Sequence, residues 1–142
     1  MHLAGHIVIS ILFSFLALGD SSVAMYVAFL SGAILIDLDH VLYAAIAKRT
    51  LSPKKISDYL YEENKTHTPH IYIFHTVEML FALYVIGVFF VTDLQISAFI
   101  AAFAYGMELH LIIDFLSYVW LKRTFRGWLK YFSLSGILLS RA

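Results

Sequence analysis

The sequence predicts an all-α integral membrane protein: a four-helix bundle of two helical hairpins, with a cytoplasmic connecting segment and an amphipathic C-terminal tail. Three observations carry that expectation. Of 142 residues, 61% are hydrophobic and only 14% are charged. The apolar residues gather into four long stretches, at about 3–19, 22–37, 71–92 and 94–120. All ten Lys and Arg residues fall either in one polar segment, Lys48 to Pro69, or after Trp120.

Each element has a local reason. At about 1.5 Å per residue the first two stretches reach only about 21 to 26 Å, short of a hydrocarbon core about 30 Å thick, so local thinning or flanking polar residues must complete them. The last two are ample. Gly19-Asp20-Ser21-Ser22 and Thr92-Asp93 are tight connections within the hairpins. Between the hairpins, Ser52-Pro53 is a helix-start signal, and Lys54 to Glu62 reads as a short surface helix. The short connections carry no Lys or Arg, so the positive-inside rule puts the long segment and both termini in the cytoplasm, giving a multi-pass protein of the cell (inner) membrane. The tail, 121–142, mixes Lys122, Arg123, Arg126 and Lys130 with Phe125, Trp128, Tyr131 and Phe132, the pattern of a helix lying among lipid headgroups. Ala17-Leu18-Gly19 looks like a leader cleavage site, but no Lys or Arg precedes the apolar stretch. One membrane domain, 1–142, is expected.

Composition also narrows function. Formal net charge is zero, which weighs against a nucleic-acid partner and leaves membrane lipid and amphiphilic substrates as the partners to consider. There is no cysteine, so a thiolate metal site, a cysteine nucleophile and a disulfide are all excluded. Any metal must be held by nitrogen and oxygen.

Such ligands are present as polar interruptions of the apolar stretches: Asp37-Leu38-Asp39-His40, the pair His70 and His75, and the pair His110 and Asp114. A central Asp in a membrane span costs about 2.5 to 3.5 kcal/mol on insertion scales, so several together require an offsetting partner, and a divalent cation is the simplest one. In the predicted topology all three clusters, together with His6 in the first turns of helix 1, fall at the cytoplasmic end of the bundle. His110 and Asp114, four apart, share a helix face. Asp37 and His40 do the same only if helix 2 continues through them, so a chelate from Asp-x-Asp-His is expected to involve non-helical backbone. His70 and His75, five apart, diverge on a regular helix, which puts His70 in the entry turn after Pro69 and makes His75 the in-helix ligand. Glu78 is on the face of His75 and can act as a ligand, as a partner to an imidazole N–H or as a proton shuttle. Glu108 points away from His110 and is expected to be paired or protonated. His2 and His67 are assigned no role.

These motifs resemble those of a known family, the LexA-regulated inner-membrane metal-dependent hydrolases. Gly5-His6-Ile7-Val8 resembles the family's Gly-His and apolar run, and Ile36-Asp37-Leu38-Asp39-His40 its Pro-Asp-Ile-Asp-His. His70 to Thr76 is similar to its His-Arg-Gly-x-Thr-His-Ser, and Tyr105 to Asp114 to its Gly-Tyr-x-x-His-x-x-x-Asp. The departures are Ile71 for the family's Arg, Tyr72 for its Gly, Phe74 for its Thr and Thr76 for its Ser. Ile71 removes a natural phosphate clamp. The family is in turn remotely similar to the all-helical zinc-dependent phospholipases C, by fold analogy alone.

Eight candidate ligands result: His6, Asp37, Asp39, His40, His70, His75, His110 and Asp114. They exceed the needs of one tetrahedral ion, so two or three divalent ions are expected, zinc first, with manganese or iron as alternatives. Asp39 and Glu78 are the candidate catalytic carboxylates. The expected function is a membrane-embedded metal-dependent hydrolase acting at the cytoplasmic face on a lipid or other amphiphilic phosphoester. The alternative, motivated by Ile71, Tyr72 and Phe74, is a metal-binding membrane protein without catalysis. Haem ligation is disfavoured by the interleaved aspartates, and a transporter by ligands gathered at one end.

Overall fold

A computed structural model of the chain describes residues 3–66, 72–122 and 132–133. Among these the protein is all-helical, with no strand. The helices are α1 (Leu3–Leu18), α2 (Val23–Leu35), α3 (Leu38–Lys48), α4 (Pro53–Thr66), α5 (Val77–Val85) and α6 (Leu94–Lys122). A 3-10 turn, Ile73–His75, precedes α5, and a π-helical turn, Ile86–Phe90, follows it.

Two helices are long and apolar enough to cross a membrane, Val23–Lys48 and Leu94–Trp120. The first is α2 running on into α3, so helix 2 does not end at the Asp37–His40 cluster as the sequence pattern implies. The helix loosens there and resumes. The Asp37 N–H bonds to Ile34 O at 3.3 Å, a 3-10 type bond, and Asp37 becomes the N-cap of α3 with φ −72° and ψ −6°. The third apolar stretch also differs from expectation. Its helix begins at Val77, and Val77–Phe90 is one of the shorter apolar segments, about 21 Å at 1.5 Å per residue.

The central helix is α6, and α2 crosses it by direct backbone contact. A Cβ on Gly32 would collide with Phe103 O, and one on Gly106 with Phe29 O. Only glycine lets the two helices approach so closely, the small-residue packing typical of helices in lipid. Phe29, Leu109 and Ile113 close the core on one side of this crossing, and Ile36, Met107 and Leu111 on the other. Many of the other buried positions are small or polar, including Ala28, Ala33, Ala102, Ala104, Ser10 and Ser14. Large apolar side chains lie outside instead, among them Phe15, Leu16, Phe81, Val88, Phe89 and Phe90. That distribution inverts the pattern of a water-soluble domain and suits a hydrocarbon surround.

Caps set the helix starts. Asp93 accepts from the N–H groups of Gln95 at 2.8 Å and Ile96 at 3.0 Å, beginning α6. Thr76 accepts from Met79 N–H at 3.3 Å, beginning α5. Its hydroxyl also donates to Ile73 O at 2.8 Å, tying the 3-10 turn to the helix that follows. At the far end of α5, Ser97 on α6 donates to Gly87 O at 2.9 Å and satisfies a carbonyl of the π turn.

Candidate metal centre

Four elements meet around two imidazoles. His75 is 1% exposed and His110 is fully buried. His75 ends the Ile73–His75 turn, one residue before the Thr76 cap, rather than lying within a helix. His110 and Asp114 stand one turn apart on α6 and Asp37 stands at the break between α2 and α3.

The ring orientations are set by groups behind them. His110 Nδ1 lies 2.7 Å from Ala33 O, and a carbonyl only accepts, so Nδ1 carries the proton. When that ring is neutral, its Nε2 bears the lone pair. Nε2 lies 3.3 Å from Asp114 Oδ2 and 3.5 Å from Asp37 Oδ1. His75 repeats the arrangement with a carboxylate behind it: Nδ1 is 3.1 Å from Asp39 Oδ1, while Nε2 is 3.2 Å from Asp37 Oδ1 and 4.0 Å from Asp114 Oδ2. The His75 Nε2 atom is buried and makes no hydrogen bond. Its 3.2 Å approach to Asp37 Oδ1 is a spacing that two ligands of one ion and an imidazolium–carboxylate pair both produce.

These separations fit an ion. Bonds of about 2.0 to 2.1 Å in tetrahedral geometry set ligand atoms about 3.3 Å apart. The measured edges are 3.2, 3.3, 3.5 and 4.0 Å. Asp37, His75 and His110 offer ligand atoms all within 4.8 Å of one another, as do Asp39, His40 and His75. The residues therefore suit a divalent ion, with the imidazoles buried and the side chains of Asp37 and Asp114 still 28% and 18% exposed.

The second group is built differently. Both oxygens of Asp39 already have donors, since Oδ2 accepts from Phe74 N–H at 2.9 Å. His40 is stacked on Tyr72 with ring centroids 3.6 Å apart and meets His75 edge-on at 4.3 Å. Tyr72 is thus a packing partner of His40. Tyr43 packs against it edge-on in turn, at 5.8 Å.

Of the eight expected ligands, the structure brings Asp37, Asp39, His40, His75, His110 and Asp114 together. His70 lies outside the described residues, as do Ile71, His2 and His67. His6 falls on α1, but its side chain is outside the description. Glu78 Oε1 accepts from Ser133 at 2.7 Å, and Phe132 packs on the Ile36–Met107–Leu111 cluster and 6.4 Å from the His75 ring. The tail, expected among the headgroups, therefore has two residues folded back against the bundle beside the site. Glu108 is paired with Tyr84, whose hydroxyl donates at 2.8 Å. Residue reasoning missed Ala33, Phe74 and Ser133. The first two act through backbone atoms that leave no mark in a sequence.

No protein-family profile, no curated protein and no solved structure matches the chain.

Proposed function

We propose that the protein is a multi-pass membrane metallohydrolase whose divalent ion is held by Asp37, His75, His110 and Asp114. The observation that supports this best is the paired imidazole arrangement. Each ring is anchored through Nδ1, to Asp39 or to Ala33 O, and turns Nε2 toward the same two carboxylates. Histidine ligands to metals almost always have such a partner behind them. Neither Asp nor His is cheap to bury in an apolar bundle, and a shared cation offsets both.

Within this reading α1, α2–α3, α5 and α6 form the membrane bundle, with the basic segment and the termini cytoplasmic. Bound at the site, a divalent ion, zinc first, supplies Lewis-acid activation of water and of a substrate ester. The chain's own groups do the rest. Asp39 holds the His75 ring in one tautomer, and the partly exposed carboxylates of Asp37 and Asp114 face the side from which a substrate approaches. Glu78, already hydrogen-bonded by Ser133, is the nearby carboxylate for moving a proton. The substrate class is an ester of a lipid or other amphiphile, a phosphoester being the first to assay. Asp39 and His40 are the residues that, with His75, would hold a second ion in the same reading.

One observation favours the non-catalytic alternative. Asp114 Oδ2, 3.3 Å from His110 Nε2, can add a fourth protein ligand to Asp37, His75 and His110, and four close a site completely, as structural zinc sites do. Two measurements separate the readings. Elemental analysis of purified protein should give at least one metal per chain in wild type and much less in Asp37→Ala; metal-free wild type sinks both. Lipid phosphoester and carboxylester hydrolysis should then require the metal and fall at least a hundredfold in Asp114→Ala. Stoichiometric metal with no turnover leaves the structural reading.

A further inference from the structure

The site is not at the end of the apolar helices. On α3 the chain past Asp39 and His40 reads Val41-Leu42-Tyr43-Ala44-Ala45-Ile46-Ala47 before Lys48 supplies the next charge. On α6 it reads Phe115-Leu116-Ser117-Tyr118-Val119-Trp120-Leu121 before Lys122. Lys48 is nine residues past Asp39 and Lys122 is eight past Asp114, so the two helices independently put the polar boundary about 12 to 14 Å beyond the site at 1.5 Å per residue. In the other direction Val23 and Leu94 lie fourteen residues before Asp37 and sixteen before His110, about 21 to 24 Å away.

The surface at and beyond the site is apolar as well. Leu38, Val41, Leu42 and Ile46 are exposed on α3, and Ile112, Leu116 and Trp120 on α6. On α6 the spacing is four and four, one continuous stripe that lies about 200° around the helix from His110 and Asp114, so it marks the depth of the helix and not the mouth of the site. Beside His75, Ile73 and Phe74 are exposed too. The only parts of the Asp37–His75–His110–Asp114 group with substantial exposure are the two carboxylates, at the level of these apolar side chains. A half-bilayer of hydrocarbon is about 15 Å thick.

Building on the membrane reading above, we infer that the centre is an intramembrane site opening sideways into the acyl-chain region of one leaflet. The ligand it takes is therefore an ester carried on a bilayer lipid, with chains beside the exposed Leu38, Val41 and Leu42 of α3. A soluble ester lacks the acyl chains that would carry it to that depth.

The cysteine-free chain allows a direct test. Val41→Cys, Ile46→Cys, Ile112→Cys and Leu116→Cys, each spin-labelled in vesicles of a dioleoyl phospholipid, should be relaxed by oxygen and protected from a water-soluble nickel chelate. Leu51→Cys, in the connection to α4, is the exposed control. Chelate access at the four positions equal to that at Leu51 overturns the inference. Zinc-loaded wild type should also hydrolyse vesicle lipid at least tenfold faster than p-nitrophenyl phosphate or p-nitrophenyl butyrate, and equal rates overturn lateral entry. Deep labels with no turnover of any ester remove the hydrolase reading and support the intramembrane site.

Discussion

Asp39 lies behind the His75 ring as well as in the Asp39–His40–His75 group of possible ligands. Its type and place in Asp-Leu-Asp-His make it read as a ligand, yet both oxygens are engaged, one by the His75 ring and one by Phe74 N–H. It acts through His75. Asp39→Asn should leave the fold intact and lower zinc affinity about 10- to 100-fold, the usual loss when the group behind a ligand is altered. Competition against a chromogenic chelator measures this, and an unchanged affinity refutes the orienting role. The Tyr84–Glu108 pair carries a separate expectation. Tyr84→Phe removes the donor to a partly buried carboxylate and should cost about 1 to 3 kcal/mol in detergent unfolding, with metal content unaffected. Much of the residue-level pattern was legible. His110 and Asp114 share a face as their spacing requires, and Asp37, His75 and His110 converge. What was illegible is what holds them, because Ala33 O and Phe74 N–H are backbone groups common to every residue.

Among the elements, the crossing of α2 and α6 is the most demanding. Gly32 and Gly106 leave no room for a methyl group, and the obstacles are backbone carbonyls that cannot swing aside as a side chain would. Gly106→Ala must push the helices apart, at a cost of about 1 to 3 kcal/mol or more. Since His110 lies one turn beyond Gly106 and Asp37 just past Gly32, the same change should weaken metal binding. Parallel unfolding and metal-content measurements check it, and a fully stable, fully loaded variant contradicts the close contact. Element boundaries were read less well than element types. The Asp-Leu-Asp-His cluster interrupts the apolar pattern, so α2 reads as finished although Val41 to Ala47 resumes it as α3. The start of α5 was placed too early because hydropathy is continuous through Ile71 to Phe74, while the boundary is made by one hydroxyl, that of Thr76.

For the whole molecule, the candidate metal ligands come from segments that are far apart in sequence, the α2–α3 break, the turn before α5 and the C-terminal half of α6, which an ion bound there would tie together. Binding to the folded form alone stabilises by mass action, about 2.7 kcal/mol at a hundred times the dissociation constant. Chelation should therefore lower the thermal midpoint of wild type and leave a His110→Ala variant unmoved. Because imidazole binds metal only when unprotonated, the zinc-dependent part of this stability should be present near neutral pH and vanish on acidification. A midpoint indifferent to zinc at every pH excludes a folded-state site.

The 3-10 bond at Asp37 has a consequence for how that coupling works. In a regular α-helix the Asp37 N–H would bond to Ala33 O, four residues back. It bonds to Ile34 O instead, and Ala33 O is left to receive the proton of His110 Nδ1. A carbonyl oxygen has two lone pairs, so the break at Asp37 leaves Ala33 O more open to the imidazole without being required by it. An ion bound at His110 would therefore favour the bend at Asp37, since the ring it fixes is held by the carbonyl that the bend leaves open.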